Sequence, residues 1–209
     1  SDCGLLEQSH ALNALTIGPA ERADILVDFS KQNMNTTVFL IDKNNYDRKL
    51  MKFVIEKEHN DNFEIPNQLS TIDKLNPESA SKTRRFTLSD HGMMGRNQVH
   101  EINGKSYDKY RIDEVVKSNT TEIWEFDNTN GVVDHPMHLH GVQFQILERI
   151  GGRNQLTPSE TAYKYTFLVR AGEKVKIIIP FGSDKGKYVF HCHNLEHENN
   201  GMMLQYEIT

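Results

Sequence analysis

The residues able to do chemistry in this chain are concentrated in two short stretches. The first is His191-Cys192-His193-Asn194-Leu195-Glu196-His197-Glu198-Asn199-Asn200-Gly201-Met202, which packs a thiol, three imidazoles and a thioether into twelve residues. Soft and borderline ligands of this kind suit copper, and few other metals want all of them together. Two His and one Cys in a trigonal set, with a long, weak axial Met, are the donors of a blue-copper electron-transfer centre. Cys192, His197 and Met202 supply three of those four. The second stretch, His135-Pro136-Met137-His138-Leu139-His140-Gly141, holds three more histidines, so six of the ten in the chain lie in these two segments.

The geometry follows if the elements that carry them are extended. In a strand successive side chains point to opposite faces, so Cys192 looks one way while His191 and His193 look the other. His138 and His140 share a face for the same reason. His135 lies before them across a proline that resists regular pairing and can point elsewhere. The economical assembly places His135, Cys192, His197 and Met202 around one copper. His138, His140, His191 and His193 then form half of the wall of a second, polynuclear site, with a short covalent path between the two.

These segments resemble the C-terminal copper motifs of the multicopper oxidases, the family of laccases, bilirubin oxidases and bacterial cuprous oxidases. The chain matches every defined position of His-Pro-x-His-x-His-Gly and of His-Cys-His-x-x-x-His-x-x-x-x-Met. The resemblance implies that His135, Cys192, His197 and axial Met202 bind type 1 copper, that His138 binds type 2 copper, and that His140, His191 and His193 bind the type 3 pair. Glu198 falls where bacterial members carry an acid linked to proton delivery. The implied activity is one-electron oxidation of a small reducing substrate (a phenol, a pigment or cuprous ion), with electrons passing through Cys192 to a cluster that reduces dioxygen to water. Copper carries the hard chemistry and the protein sets geometry, access and proton supply.

Around the motifs the chain reads as strand after strand. Expected strands are Thr37–Asp42, Lys49–Glu56, Phe86–Ser89, Val99–Ile102, Lys105–Tyr107, Thr120–Asp127, Gln143–Arg149, Tyr163–Val169, Val175–Pro180, Tyr188–Cys192 and Met203–Ile208, with Asn103-Gly104 as a hairpin turn. A further strand is expected at Ala23–Phe29, after Gly18-Pro19. Many short strands with regular turn signals mean an all-β sandwich or barrel, and the resemblance sharpens this to a cupredoxin-like Greek-key barrel with a partial second cupredoxin domain before it. Asp2-Cys3-Gly4-Leu5-Leu6 and Pro19-Ala20-Glu21-Arg22-Ala23-Asp24-Ile25-Leu26-Val27-Asp28-Phe29 are similar to stretches of the family's middle domain. The expected division is therefore 1–58 for the C-terminal part of a middle domain, 59–83 for a polar linker with Pro66 and Pro77, and 84–209 for the last cupredoxin domain. By the same resemblance a trinuclear cluster takes four His-x-His pairs. This chain has two, so its expected partner is a missing N-terminal half, and the chain alone is expected to be inactive as an oxidase.

The rest of the composition is less specific. With 209 residues, 37% of them hydrophobic, the chain can bury a sizeable core. A net charge of −5 argues against a nucleic-acid partner, and no apolar run reaches membrane-spanning length. Cys192 is claimed by metal, which leaves Cys3 single and no disulfide framework expected. Localisation is not readable, although the family favours an extracytoplasmic or cell-surface setting. His10, His59, His91 and His100 read as surface or loop residues, Met93 and Met94 as loop packing rather than cuprous-ion ligands, and Trp124 and Met203 as core. Three competing readings are a copper-binding electron-transfer module, a nitrite-reductase-like protein and a copper-free scaffold. Retention of all four cluster histidines weighs against the first, the His-Cys-His pairing against the second, and intact ligands against the third.

Overall fold

The computed structural model describes residues 1–58, 62–93 and 96–209, with only the backbone described at 92, 93 and 96–98. His59 and Met94, and the side chain of Met93, therefore lie outside the described residues. The chain divides into two compact units, one of Ser1–Ala23 with Pro66–Thr209 and one of Asp24–Ile65. The first 23 residues pack with the C-terminal unit.

The smaller unit holds one antiparallel pair, β1 (Thr37–Asp42) and β2 (Arg48–Val54). Ala23–Phe29 forms no strand, contrary to expectation. A strand exists only through its ladder, and with no partner strand its apolar residues Ile25, Leu26 and Val27 stay exposed.

The larger unit is an all-β sandwich of two five-stranded sheets. Its strands are β3 (Ala80–Met93), β4 (Arg96–Ile102), β5 (Glu114–Val116), β6 (Thr121–Asn128), β7 (His135–Leu139), β8 (Gln145–Ile150), β9 (Thr166–Val169), β10 (Glu173–Pro180), β11 (Gly186–Cys192) and β12 (Met203–Ile208). One sheet runs β4-β3-β6-β10-β8 and the other β5-β12-β11-β7-β9. Two parallel pairs, β3 with β6 and β12 with β5, sit among antiparallel neighbours, as a cupredoxin-like Greek key requires. The structure adds β5 and β7, which the sequence reading did not assign as strands. It also extends β3 back to Ala80, into the stretch expected to be linker. Lys105–Tyr107 reduces to a single bridge, Ile102 to Lys105. The turn before it behaves as the Asn-Gly pair dictates, with φ of 56° at Asn103 and 66° at Gly104.

The core is aromatic. Trp124, Phe86, Phe126, Phe190 and Tyr206 are fully buried between the sheets, and the Phe86 ring lies 4.9 Å from both Trp124 and Phe190. Trp124 also donates its indole N–H to Glu122 (2.9 Å), which in turn pairs with buried Arg84 (2.6 Å). Arg149 is held between Glu160 and Glu173, the latter at 2.7 Å, with all three side chains buried. Lys164, equally buried, ties Asp2 and Glu21 of the N-terminal segment to the sandwich at 3.2 Å each. Met203 is half-buried rather than core, while its neighbours Met202 and Leu204 are buried.

Candidate metal centre

Strand register brings the two motif segments together. β11 pairs antiparallel with β7, setting His191 opposite His138 and Cys192 opposite Met137. Side-chain alternation then sorts the histidines. Cys192 and His135 fall on the side facing the core, and His138 and His191 on the other. β11 leads through Asn194 into a short helix, α1 (Leu195–Asn199), which carries His197 and Glu198. Two backbone bonds close this loop: Cys192 N–H donates to Met202 O and Met202 N–H donates to His197 O, both at 3.0 Å.

On the core side, Cys192 Sγ lies 3.3 Å from His197 Nδ1, which lies 3.2 Å from His135 Nδ1. Cys192, His135 and Met202 are fully buried. Ligands about 2.0–2.3 Å from one ion in a trigonal plane would stand roughly 3.5 Å apart, close to the spacing seen. Two unprotonated imidazole nitrogens at 3.2 Å repel unless a proton or cation lies between them. Burial, opposed by the Asn194 N–H and reinforced by Asp90 and Glu198, pushes the Cys192 thiol up to about 12. Burial, with the neighbouring His100 and His135, draws His197 down to about 4, leaving a neutral ring with a free lone pair at neutral pH. A soft cation fits this donor set, since binding removes the thiol proton outright. The geometry is type-1-like.

On the outer side, His138, His140 and His191 bring their ligand atoms within 4.8 Å of one another. His140 Nε2 is 3.1 Å from His191 Nε2. His138 donates from Nδ1 to the Tyr165 carbonyl (2.9 Å), and His191 from Nδ1 to the Cys192 carbonyl (3.0 Å), which leaves both Nε2 atoms unprotonated, that of His191 facing His140. The His193 ring stands beside them, 5.3 Å from that of His191 and 5.7 Å from that of His138, without joining the tight group of three. Burial and like charge from His140 hold His138 down at about 4, and burial lowers His140 and His191 as well. A cleft of about 500 Å³ opens beside His138, His140 and Tyr165. Glu198 places a carboxylate oxygen 3.6 Å from His191 Nδ1 and is about one-third exposed (34%). Gly141, at φ +75°, ends the His pair where a Cβ would meet the Tyr188 ring at 2.4 Å.

Two residues at the core-side group were not singled out as functional in the sequence. Asp90 bonds His135 Nε2 at 3.2 Å through one oxygen and His100 Nδ1 at 2.5 Å through the other. His100 stacks on His197, with ring centroids 3.8 Å apart and planes 18° from parallel. Far from being a surface or loop histidine, it is 2% exposed. The available signal was strand alternation: Phe86, Leu88 and Asp90 share one face of β3, and His100 and Ile102 one face of β4. His10 and His91 are exposed.

Comparison with known proteins decides the kinship. The multicopper oxidase family matches residues 75–209. The chain belongs to the multicopper oxidase family. It is 34% identical to the multicopper oxidase mco of Staphylococcus haemolyticus, over all of this chain and 42% of that protein. It is 32% identical to a laccase of Bacillus subtilis, over all of this chain and 45% of the relative. The crystal structure of the McoA multicopper oxidase from Aquifex aeolicus matches 88% of the chain and 42% of that structure, at a TM-score of 0.77 and 28% identity. A laccase from Pediococcus acidilactici matches 88% of the chain and 38% of its own at 0.75, with 34% identity. This multicopper oxidase chain thus spans somewhat under half the length of these relatives. No helix among its described residues is long and apolar enough to cross a membrane.

Proposed function

We propose that the chain is part of a laccase-like copper-dependent oxidoreductase that couples oxidation of a small reducing substrate to reduction of dioxygen. One observation supports this above the others. Consecutive residues of β11 serve two groups on opposite faces, Cys192 beside His135 and His197, and His191 beside His138 and His140. In this reading His135, Cys192, His197 and Met202 hold a type 1 copper, His138 a type 2 copper, and His140, His191 and His193 the type 3 pair. Bound there, copper supplies one-electron oxidation at the first site and four-electron reduction of dioxygen to water at the cluster. The chain's residues set the conditions. Burial of Cys192 and Met202 excludes water from the thiolate, which tunes potential. The Cys192–His191 peptide gives a short covalent path between the groups. Tyr165 and Cys192 carbonyls fix the tautomers of His138 and His191. Glu198, partly exposed and next to His191, carries protons from solvent.

The outer histidine face is open beside its cleft, and the reading completes it with two further His-x-His pairs from an N-terminal half of the protein. Residues 1–58 then belong to a middle domain, even though Ser1–Ala23 packs with the C-terminal unit. The laccases among the relatives favour a phenol as substrate, with a pigment or cuprous ion also compatible.

The test is to load the full chain with cupric ion, and to follow copper content, the visible thiolate–copper band and oxygen uptake with a phenol. The expected result is an intense blue band that is lost in Cys192→Ser, with oxygen uptake only once a polypeptide carrying the other two pairs is added. Copper bound without a thiolate band, or oxygen uptake by the chain alone, would overturn the reading.

A further inference from the structure

The core-side group has a scaffold of its own, built from strands far from the copper-ligand motifs. Asp90 stands on β3 and His100 on β4, and the two strands pair there, Asp90 opposite His100. One carboxylate therefore meets two rings. Its Oδ2 takes the Nε2 hydrogen of His135, and its Oδ1 takes the Nδ1 hydrogen of His100. With Nε2 protonated, His135 must offer Nδ1, the atom that faces His197 Nδ1 at 3.2 Å. His100, fixed at one edge, lies flat over His197 at 3.8 Å. A ring stacked that closely stops His197 from turning about its own side-chain bonds. Each imidazole of the group is thus positioned by a residue that is not itself in it: Asp90 holds His135, and His100, itself held by Asp90, covers His197.

Charge adds a second consequence. Asp90 is 11% exposed in its side chain, so its negative charge is poorly screened by water. Its two oxygens are engaged by the two imidazoles, one each. A fixed anion one imidazole away from a metal favours the more positively charged oxidation state.

We propose that Asp90 and His100 are positioning residues of the mononuclear site: together they fix both of its imidazoles, and the Asp90 carboxylate biases a bound copper towards its cupric state. This rests on the copper reading of Cys192, His135 and His197, and extends it to the control of potential.

The experiment uses the full chain reconstituted with copper. Its readouts are the thiolate–copper band, the copper hyperfine pattern in electron paramagnetic resonance, and the reduction potential from an optical titration against a one-electron couple. Asp90→Asn keeps the shape and removes the charge. It is expected to retain the blue band while moving the equilibrium about tenfold towards reduced copper, which is ~59 mV for one electron. His100→Ala uncovers His197 and is expected to alter the hyperfine pattern and to release copper to a chelator about tenfold faster. His100→Phe restores the stacked face and is expected to recover the parent's release rate. If Asp90→Asn takes up no copper, Asp90→Glu decides: restored copper binding supports the positioning role, and failure to restore it overturns it. A blue Asp90→Asn with the parent's potential, or a His100→Ala that holds copper as the parent does, overturns the proposal and leaves the copper reading standing. A parent chain with no thiolate–copper band overturns that reading instead.

Discussion

At the scale of single residues, the two motif segments were legible because strand alternation needs only local spacing. His191, Cys192 and His193 had to face alternately, and the structure places them so. Asp90 and His100 were not legible as site residues. Alternation marks both as inward-facing, but their partners, His135 on β7 for Asp90 and His197 in the loop about a hundred residues later for His100, come only with the tertiary fold. Cys192→Ser replaces a buried thiol with a hydroxyl of similar size, so the fold should survive at a cost of about 0.5–3 kcal/mol. Copper titration followed by absorption should then show loss of the core-side site alone. Trp124→Ala is a contrasting change in the core between the sheets. It empties the aromatic core and leaves Glu122 without its indole donor. A loss of about 3–5 kcal/mol is expected in urea unfolding, with the blue band of the surviving folded fraction unchanged.

At the scale of elements, β1 and β12 were readable to the residue, whereas β5 and β7 were not assigned. Glu114–Val116 is three residues long, too short to show a period. β7 contains Pro136, which argued against regular pairing. The structure accommodates it because the β11 ladder begins only at Met137, while Pro136 sits opposite Leu168 of β9. Between elements, the buried ions make a sharper prediction. Arg149 joins β8 to Glu173 of β10 and to Glu160 in the connection before β9. Arg149→Met leaves two carboxylates buried, with the partly buried Arg153 as a cationic partner and one backbone N–H each from Thr157 and Arg170. Removing one member of such a buried set costs about 3–5 kcal/mol, read as a lower urea midpoint at unchanged slope. Turns give a graded pair. Gly104→Ala meets no atom and suffers only a left-handed backbone, about 1–2 kcal/mol. Gly141→Ala carries that strain and also strikes Tyr188. It should therefore be the more damaging of the two in a thermal melt, and only it should weaken metal binding at the histidine face.

At the scale of the whole molecule, the clustered histidines make the metal-free protein acid-sensitive. His138 and His197 have folded-state values near 4, below the ordinary 6.5. Between those values the unfolded chain binds more protons than the folded one, so stability falls as pH drops from about 6.5 through 4. Asp90 acts lower down: its contribution is intact above 3.8 and is lost as pH falls through about 2. Calorimetry of the metal-free chain between pH 7 and 4 should show a falling midpoint. Saturating copper should raise the midpoint at pH 7, because a ligand that binds only the folded state stabilises it. A midpoint that is flat with pH would mean that these rings are not held neutral.

The Lys164 clamp has a consequence for the order of events during synthesis. Asp2 accepts from the Thr166 backbone N–H, 164 positions further along the chain, and Glu21 and Asp2 both rest on Lys164. Residues 2 to 21 therefore emerge from the ribosome long before Lys164 and Thr166 exist to hold them. Closing so long a loop is slow relative to local pairing, so this segment, made well before Lys164, is expected to dock late. Until then Asp2 and Glu21 lack the buried cation they share, and a chain stalled before residue 164 would leave both carboxylates without it.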